Sequence, residues 1–272
     1  MSLGIIGGLG PMATAYFMEL LINMTDAKCD QDHLEMIIYN CPSIPDRTAY
    51  ILGKSNANPV VPIIKIGKKL KEQNVECISI PCITAHYFHD EIEEKTGCKV
   101  MHAIRDTSYL LKEAGLTKIG IMATDGTIQS RIFQNEIEKN GMHGLVPDKK
   151  YQRIVMDIIY KDIKAGKIPD IEKYNVVATH LKNKGAQVII LGCTELSLLK
   201  KQYDIKTGVI DAMEVLAKSS LIQCNKKVKP KYNKLFRQKI MITLPIKRPI
   251  IKFNVQLSKF KVNYGFHHTK LQ

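Results

Sequence analysis

Two of the seven cysteines in this 272-residue chain stand in settings that repeat. Ile78-Ser-Ile-Pro-Cys-Ile-Thr carries Cys82, and Val188-Ile-Ile-Leu-Gly-Cys-Thr carries Cys193. In both, a short apolar run ends at a thiol just ahead of a segment with helical period. A thiol there feels the N-terminal end of the following helix, which favours its thiolate. A thiolate on one face of an acidic carbon and a thiol on the other can remove a proton and return one from the opposite side, exchanging roles between the two directions. Two matched cysteines suit that chemistry. Cys29, Cys41, Cys77, Cys98 and Cys224 lack a comparable setting, and the reading for each is a small core hydrophobe.

Other chemistries find less support. No Cys-x-x-Cys pair occurs, and the one adjacent histidine pair is His267-His268 near the end of the chain, so no metal site is expected. No Gly-x-Ser-x-Gly elbow or Walker loop is present, which removes the common hydrolase and nucleotide-hydrolysis patterns. Gly8, Gly10 and Ala13 form a Gly-x-Gly-x-x-Ala match after a strand pattern. The second strand pattern ends Ile38-Tyr39-Asn40 with no acid for a ribose, and Pro11 removes an amide from the cradle, so a dinucleotide site is weakly supported. The turn reads better as an amide-lined wall able to approach a small carboxylate, with a purely structural turn as the plain alternative.

The elements that must position these groups are legible as a pattern. Continuous apolar runs over 3–7, 35–40, 77–81, 119–123 and 188–192 imply strands of parallel sheets covered on both faces. Helical periods fill 13–26, 62–73, 84–95, 103–114, 128–140, 151–165 and 171–184, giving an α/β fold. Gly4-Ile-Ile-Gly-Gly is echoed by Gly120-Ile-Met-Ala-Thr, 78 positions before Cys82 and 73 before Cys193 respectively. The expectation is two pseudo-symmetric lobes, each a parallel sheet flanked by helices, with the active site between them. Residues 1–102 form the first lobe, completed by about 208–225, and 103–207 form the second. Strand carboxyl ends are where such sheets bind ligands.

Length and a 45% apolar content allow a sizeable core. The formal charge of +14 is confined to one end: after Glu214 there are 14 Lys and Arg and no acid, so the body is neutral. Residues 226–272 read as a basic, Pro-punctuated C-terminal appendage, solvated or partner-dependent. Contact with a polyanion is the sharper alternative, without a recognisable module behind it. Odd cysteine number and an N-terminus that runs straight into a strand pattern lead to an expected reducing cytoplasm. No apolar run approaches the roughly 20 residues of a membrane span.

Arg47, in Ile44-Pro-Asp-Arg, and Lys164, in Ile163-Lys-Ala-Gly, are candidates to hold a carboxylate, Arg by a two-pronged grip and Lys as a point charge. Composition alone makes both solvated surface residues. Thr124 and Thr127, in Ala123-Thr-Asp-Gly-Thr, occupy the strand end that the repeat equates with Gly8. They are placed either to contact a ligand or to cap the next helix.

Gly7-Gly-Leu-Gly-Pro-Met-Ala-Thr14, Pro45-Asp-Arg47, Pro81-Cys-Ile-Thr-Ala-His86, Ala123-Thr-Asp-Gly-Thr127, Ile163-Lys-Ala-Gly166 and Leu191-Gly-Cys-Thr-Glu-Leu196 together resemble the motif series of the aspartate/glutamate racemase family, over about residues 1–222. The flanks of both cysteines are more similar to the aspartate racemase branch. The resemblance implies cofactor-independent racemisation of an acidic amino acid, aspartate or glutamate, without pyridoxal phosphate or metal, frequently in a homodimer. It implies that Cys82 and Cys193 are the two acid/base residues and that Arg47 and Lys164 bind the side-chain carboxylate. Thr84 and Thr194 then meet the α-carboxylate or amino group, helped by amides around Gly8 and Leu9, while Glu195 and His86 support the thiols. There are two departures. Leu9 replaces a usual Met, a volume-similar change. Ile83 replaces a usual Asn beside Cys82, a lost hydrogen bond typically of about 1 kcal/mol, which bears on substrate choice, a catalytically altered relative and a broader amino-acid range being the alternatives.

Overall fold

The computed structural model describes residues 1–233. The chain forms β1 (Ser2–Gly7), α1 (Pro11–Met24), β2 (Glu35–Asn40), α2 (Arg47–Ile51), α3 (Val60–Glu72), β3 (Cys77–Ser79), α4 (His89–Thr96) and α5 (Ala103–Glu113). It continues through β4 (Lys118–Met122), α6 (Asp125–Gln129), α7 (Ile132–Lys139), β5 (His143–Leu145), α8 (Lys149–Met156) and α9 (Ile171–Asn183). It ends in β6 (Val188–Leu191), α10 (Thr194–Gln202), β7 (Val209–Asp211) and α11 (Ala212–Gln223).

Two sheets result, ordered β2-β1-β3 and β5-β4-β6-β7, with every strand pair parallel. The first three strands of each have the same spatial order, with β1 and β4 central. The first sheet has only a trace of a fourth strand: Val100 bridges Ile78 in parallel where the second sheet carries β7. Parallel pairing follows from the apolar runs. Leu3, Ile5, Ile6, Ile119, Ile121, Met122, Ile190 and Leu191 are fully buried, which requires cover on both faces of each sheet.

The two lobes have their own cores and share a third. Ile63, Leu70, Ile78 and Ile92 pack in the first lobe; Ile158, Val177, Leu181 and Leu196 pack in the second. Between them, Phe17 and Leu21 of α1, Ile104 and Leu111 of α5, and Leu216 and Leu221 of α11 pack with Phe133 and strand residues of both sheets. Such continuity holds the two strand-end edges in fixed relation.

The segment 208–225 is divided between the lobes rather than completing the first. Val209–Asp211 hydrogen-bonds to β6 in the second sheet, because its apolar run can extend that sheet's edge. The α11 helix that follows packs against α1, α5 and β3. Ser79 and Ser220 hydroxyls, 2.7 Å apart, join β3 to α11 in this buried interface.

Residues 226–233 also lie closer to the body than an appendage would. Val228 pairs antiparallel with Thr25, Asp26 N–H donates to Lys227 O at 2.8 Å, and Lys229 N–H donates to Met24 O at 2.8 Å. Residues 234–272, with the rest of the basic stretch and its expected polyanion contact, lie outside the described residues. Among the described residues no helix is long and apolar enough to cross a membrane.

Candidate active site

Both cysteines lie just past a strand end, and both are buried at 5% exposure. Cys82 follows β3 in extended conformation (φ −151°, ψ 100°) and starts a 3-10 helix, Ile83–Phe88. Its carbonyl accepts from Ala85 N–H at 3.0 Å, which closes the tight turn, and from His86 Nδ1 at 3.2 Å. His86 is buried, and desolvation drives its imidazole pKa from 6.5 to about 4, so the ring is neutral and Nδ1 is a donor.

Arg47 is the charged neighbour of Cys82. It opens α2, whose N-cap Asp46 accepts from Ala49 N–H at 2.7 Å. Its guanidinium is buried, donating from Nη2 to Leu9 O at 2.8 Å and from Nη1 to Pro45 O at 2.9 Å. Burial opposes this charge, but the adjacent Cys82 sulfur, Asp46 and Tyr160 outweigh it and hold the guanidinium above its ordinary pKa. Arg47 is therefore neither a surface cation nor free in all its donors.

Cys193 meets the opposite electrostatics. It caps α10 in extended conformation (φ −148°, ψ 137°), and its Sγ–H donates to Glu195 Oε2 at 2.9 Å. Desolvation and the Glu195 charge push this thiol well above its ordinary pKa, opposed in part by Lys164. Thr194 Oγ1 also donates to Glu195 Oε2, at 3.3 Å, and Lys164 Nζ pairs with Glu195 Oε1 at 2.5 Å. Burial works against the Lys164 ammonium, but Glu195 and Cys193 keep its pKa raised.

A change of helical pitch presents Lys164. After α8 the chain continues as a π-helix, Asp157–Ile163, and Lys164 N–H bonds to Ile159 O at 3.0 Å, five residues back. Tyr160 comes from the same turn. Its hydroxyl donates to Asp46 Oδ2 at 3.1 Å, linking the lobes, and the Lys164 ammonium lies 5.7 Å from its ring centroid.

Three hydroxyls also meet across the lobes. Thr84 Oγ1 lies 3.0 Å from Thr124 Oγ1, Thr124 Oγ1 lies 3.1 Å from Thr127 Oγ1, and Thr127 Oγ1 lies 3.1 Å from Thr84 Oγ1. Thr124 is simultaneously the N-cap of α6, accepting from Thr127 N–H at 3.3 Å. Capping and site lining are thus combined in one residue.

Leu9, Arg47, Cys82, Ile83, Thr84, Thr124, Lys164, Cys193, Thr194 and Glu195 line one cavity, joined by Asp46, Thr48 and Tyr160. Those last three escaped the sequence reading. A signal existed for two of them: Asp46 precedes Arg47 as a helix cap, and Tyr160 lies one helical turn before Lys164. The cavity holds about 10 Å³, the space of about one water.

Three expectations need correction. Gly8 is not a wall of this cavity, and its N–H is committed to Thr14 Oγ1 at 2.9 Å. Its φ of +90° and the Cys41 backbone 2.4 Å from any Cβ placed there make it a structural turn. Cys29 is exposed and Cys41 half-buried, so neither is a core hydrophobe; Cys77, Cys98 and Cys224 are buried as expected. Thr127 joins the hydroxyl cluster but does not line the cavity.

The Asp/Glu/Hydantoin racemase family model matches residues 6–219. The solved aspartate racemase of Picrophilus torridus is 30% identical, with TM-score 0.74 over 86% of this chain and 98% of that one. The broad specificity amino-acid racemase RacX of Bacillus subtilis is 27% identical over 230 residues, covering 80% of this chain and 96% of that protein. An aspartate racemase homologue from Pyrococcus horikoshii, 22% identical, shares the fold with TM-score 0.67 over 82% of this chain and 99% of that one.

Proposed function

The chain belongs to the Asp/Glu/hydantoin racemase family, and on that premise we propose that it racemises an acidic amino acid, aspartate or glutamate, by two-base proton transfer between Cys82 and Cys193 without a cofactor. The observation that carries this reading is that the two thiols, one from each lobe, line a single buried cavity with Arg47 and Lys164.

The environments suggest how the protons start. Cys193 is a thiol bonded to Glu195, whereas Cys82 lies beside the Arg47 guanidinium, which supplies the counter-charge for a thiolate. In one direction the Cys82 thiolate takes the α-proton and Cys193 delivers its own to the opposite face. That turnover leaves Cys82 protonated and Cys193 ionised, the arrangement the other enantiomer requires. Charge developing on the substrate's α-carboxylate as the α-proton leaves falls to prepositioned donors, for which the Thr84, Thr124 and Thr194 hydroxyls are the candidates. Arg47 and Lys164, both on the cavity wall, are the partners for the distal carboxylate.

Incubation of the full chain with L-aspartate and L-glutamate in D₂O tests this. Deuterium appears at the α-carbon of at least one, with loss of optical rotation. No exchange with either removes the acidic-amino-acid reading.

A further inference from the structure

We propose that a second cavity, set between the chain that follows Cys82 and helix α7 of the other lobe, is a ligand site for a small primary ammonium ion. None of its lining residues belongs to the cavity that holds the thiols. At about 190 Å³ it is also far the roomier of the two.

His86 supplies the observation that points to a ligand. It is 6% exposed and lines this cavity from the 3-10 helix after Cys82. Its Nδ1–H donates to Cys82 O at 3.2 Å, so its Nε2 carries a lone pair, and that atom is buried with no hydrogen-bond partner. Burial keeps the ring neutral, with a pKa of about 4, so near neutral pH this nitrogen accepts and does not donate. A buried acceptor without a donor is costly until a donor fills the place. The neighbouring imidazoles do not supply one. His89 is committed through both nitrogens, Nε2–H to Val100 O and Nδ1 to Asp90 Oδ1, each at 2.9 Å. His102 caps α5, its Nδ1 accepting from Arg105 N–H at 3.1 Å, and its ring centroid stands 5.7 Å from that of His86.

The rest of the lining favours a positive charge on that donor. The Glu136 side chain of α7 is 19% exposed, while Lys139, the one lysine or arginine on the lining, is 72% exposed, with its Nζ 3.6 Å from Glu136 Oε2 and beyond a hydrogen bond. Asp90 adds a second carboxylate at the solvent side. An entering ammonium therefore gains the Glu136 charge and gives an N–H to His86 Nε2. A metal ion matches the lining less well: among the described residues no three His, Cys, Asp or Glu side chains are grouped to hold one. A donor seated on Nε2 also fixes the Nδ1–H tautomer that binds the Cys82 carbonyl, so occupancy is felt at the turn that carries this thiol.

n-Propylammonium, n-propanol and propionate, alike in size and different in charge, are the probes, titrated into the full isotope-labelled chain with the His86 ring nitrogens followed by NMR. Propylammonium moves the Nε2 resonance saturably, with a Kd in the millimolar range, while Nδ1 keeps its proton. Propanol binds at least roughly tenfold more weakly, and propionate leaves the resonance in place. Glu136→Gln weakens propylammonium binding roughly tenfold, and Lys139→Met, which removes a competing ammonium from Glu136, tightens it severalfold. A damaged fold loses affinity rather than gaining it, so the Lys139 variant keeps the test decisive. No saturable movement of His86 Nε2 at tens of millimolar, an equal response to propanol, or an affinity that either α7 variant leaves unchanged overturns the inference. So do shifts confined to the Thr84, Thr124 and Thr194 amides, which put the amine among the thiols instead.

Discussion

The two halves of the site repeat one backbone step and then reverse its electrostatics. In each, a central strand and its neighbour deliver a cysteine at the sheet's carboxyl edge. Past Cys82 the chain tightens into a 3-10 turn, places a hydroxyl at Thr84 and a neutral imidazole at His86, and faces a guanidinium. Past Cys193 it enters an α-helix and places a carboxylate at Glu195, which bonds both the thiol and the Lys164 ammonium. The difference teaches that duplicated backbone fixes where two thiols stand, while single side chains set the charge that each one meets.

Five substitutions sharpen or break that contrast. The largest effect is expected at Arg47. Arg47→Gln strands the Leu9 and Pro45 carbonyls and leaves Cys82 without its cation; the expected loss is about 4 kcal/mol of stability, from charge-assisted bonds of about 1.5–3 kcal/mol each. Turnover falls at least ~100-fold, within the range of acid/base catalysis. Urea melts and steady-state rates read both, and a variant close to the parent would remove Arg47 from the Cys82 half.

His86 comes next, through pH. Its pKa is depressed from 6.5 in the unfolded chain to about 4 in the fold. Above pH 6.5 neither state binds the proton and the residue has no effect on the pH profile. As pH falls from 6.5 to 4, the unfolded chain takes a proton that the folded one refuses, and stability drops by about 3 kcal/mol. His86→Gln flattens that acid limb in urea midpoints measured from pH 7.5 to 4, and an unaltered limb contradicts the buried neutral ring.

The Cys193 thiol comes third. With Cys193 raised by burial and Glu195, its iodoacetamide alkylation is slow at pH 8 and climbs with pH. Glu195→Gln speeds Cys193 alkylation roughly tenfold with Cys82 unchanged, as peptide mass spectrometry reads. Smallest is the hydroxyl cluster: Thr84→Val and Thr124→Val each cost about 1 kcal/mol, and the double variant less than their sum, because each removes a partner of the other.

The sequence already contained much of this, for physical reasons that vary by residue. Buried parallel strands are written as continuous apolar runs, so β1, β3, β4 and β6 are visible, and the half-buried edge strand β2 carries such a run as well. Short edge strands are not: His143–Leu145 and Val209–Asp211 are three residues each, too brief for a period to register. The period over 128–140 misses a break, since Arg131 adopts φ +58° between α6 and α7. The period over 151–165 hides the π-helix that aims Lys164. Cys82 and Cys193 stood out through repetition, and Arg47 and Lys164 through the motif resemblance. What composition could not disclose was pairing. Whether Lys164 faces solvent, substrate or Glu195 depends on contacts from another helix, and Gly8's amide was assigned to a ligand because its partner Thr14 lies six residues on.

The central claim is that one thiol from each half completes a single proton-transfer pair. The direct test follows L-aspartate and D-aspartate, or whichever amino acid the parent chain turns over, in D₂O with the parent, Cys82→Ser and Cys193→Ser side by side, reading α-deuteration by NMR and configuration by chiral chromatography. The account predicts that the parent interconverts both enantiomers with α-deuterium in the product and that each single variant loses racemisation by roughly 10²–10⁴-fold. Racemisation near the parent rate in either variant would contradict it.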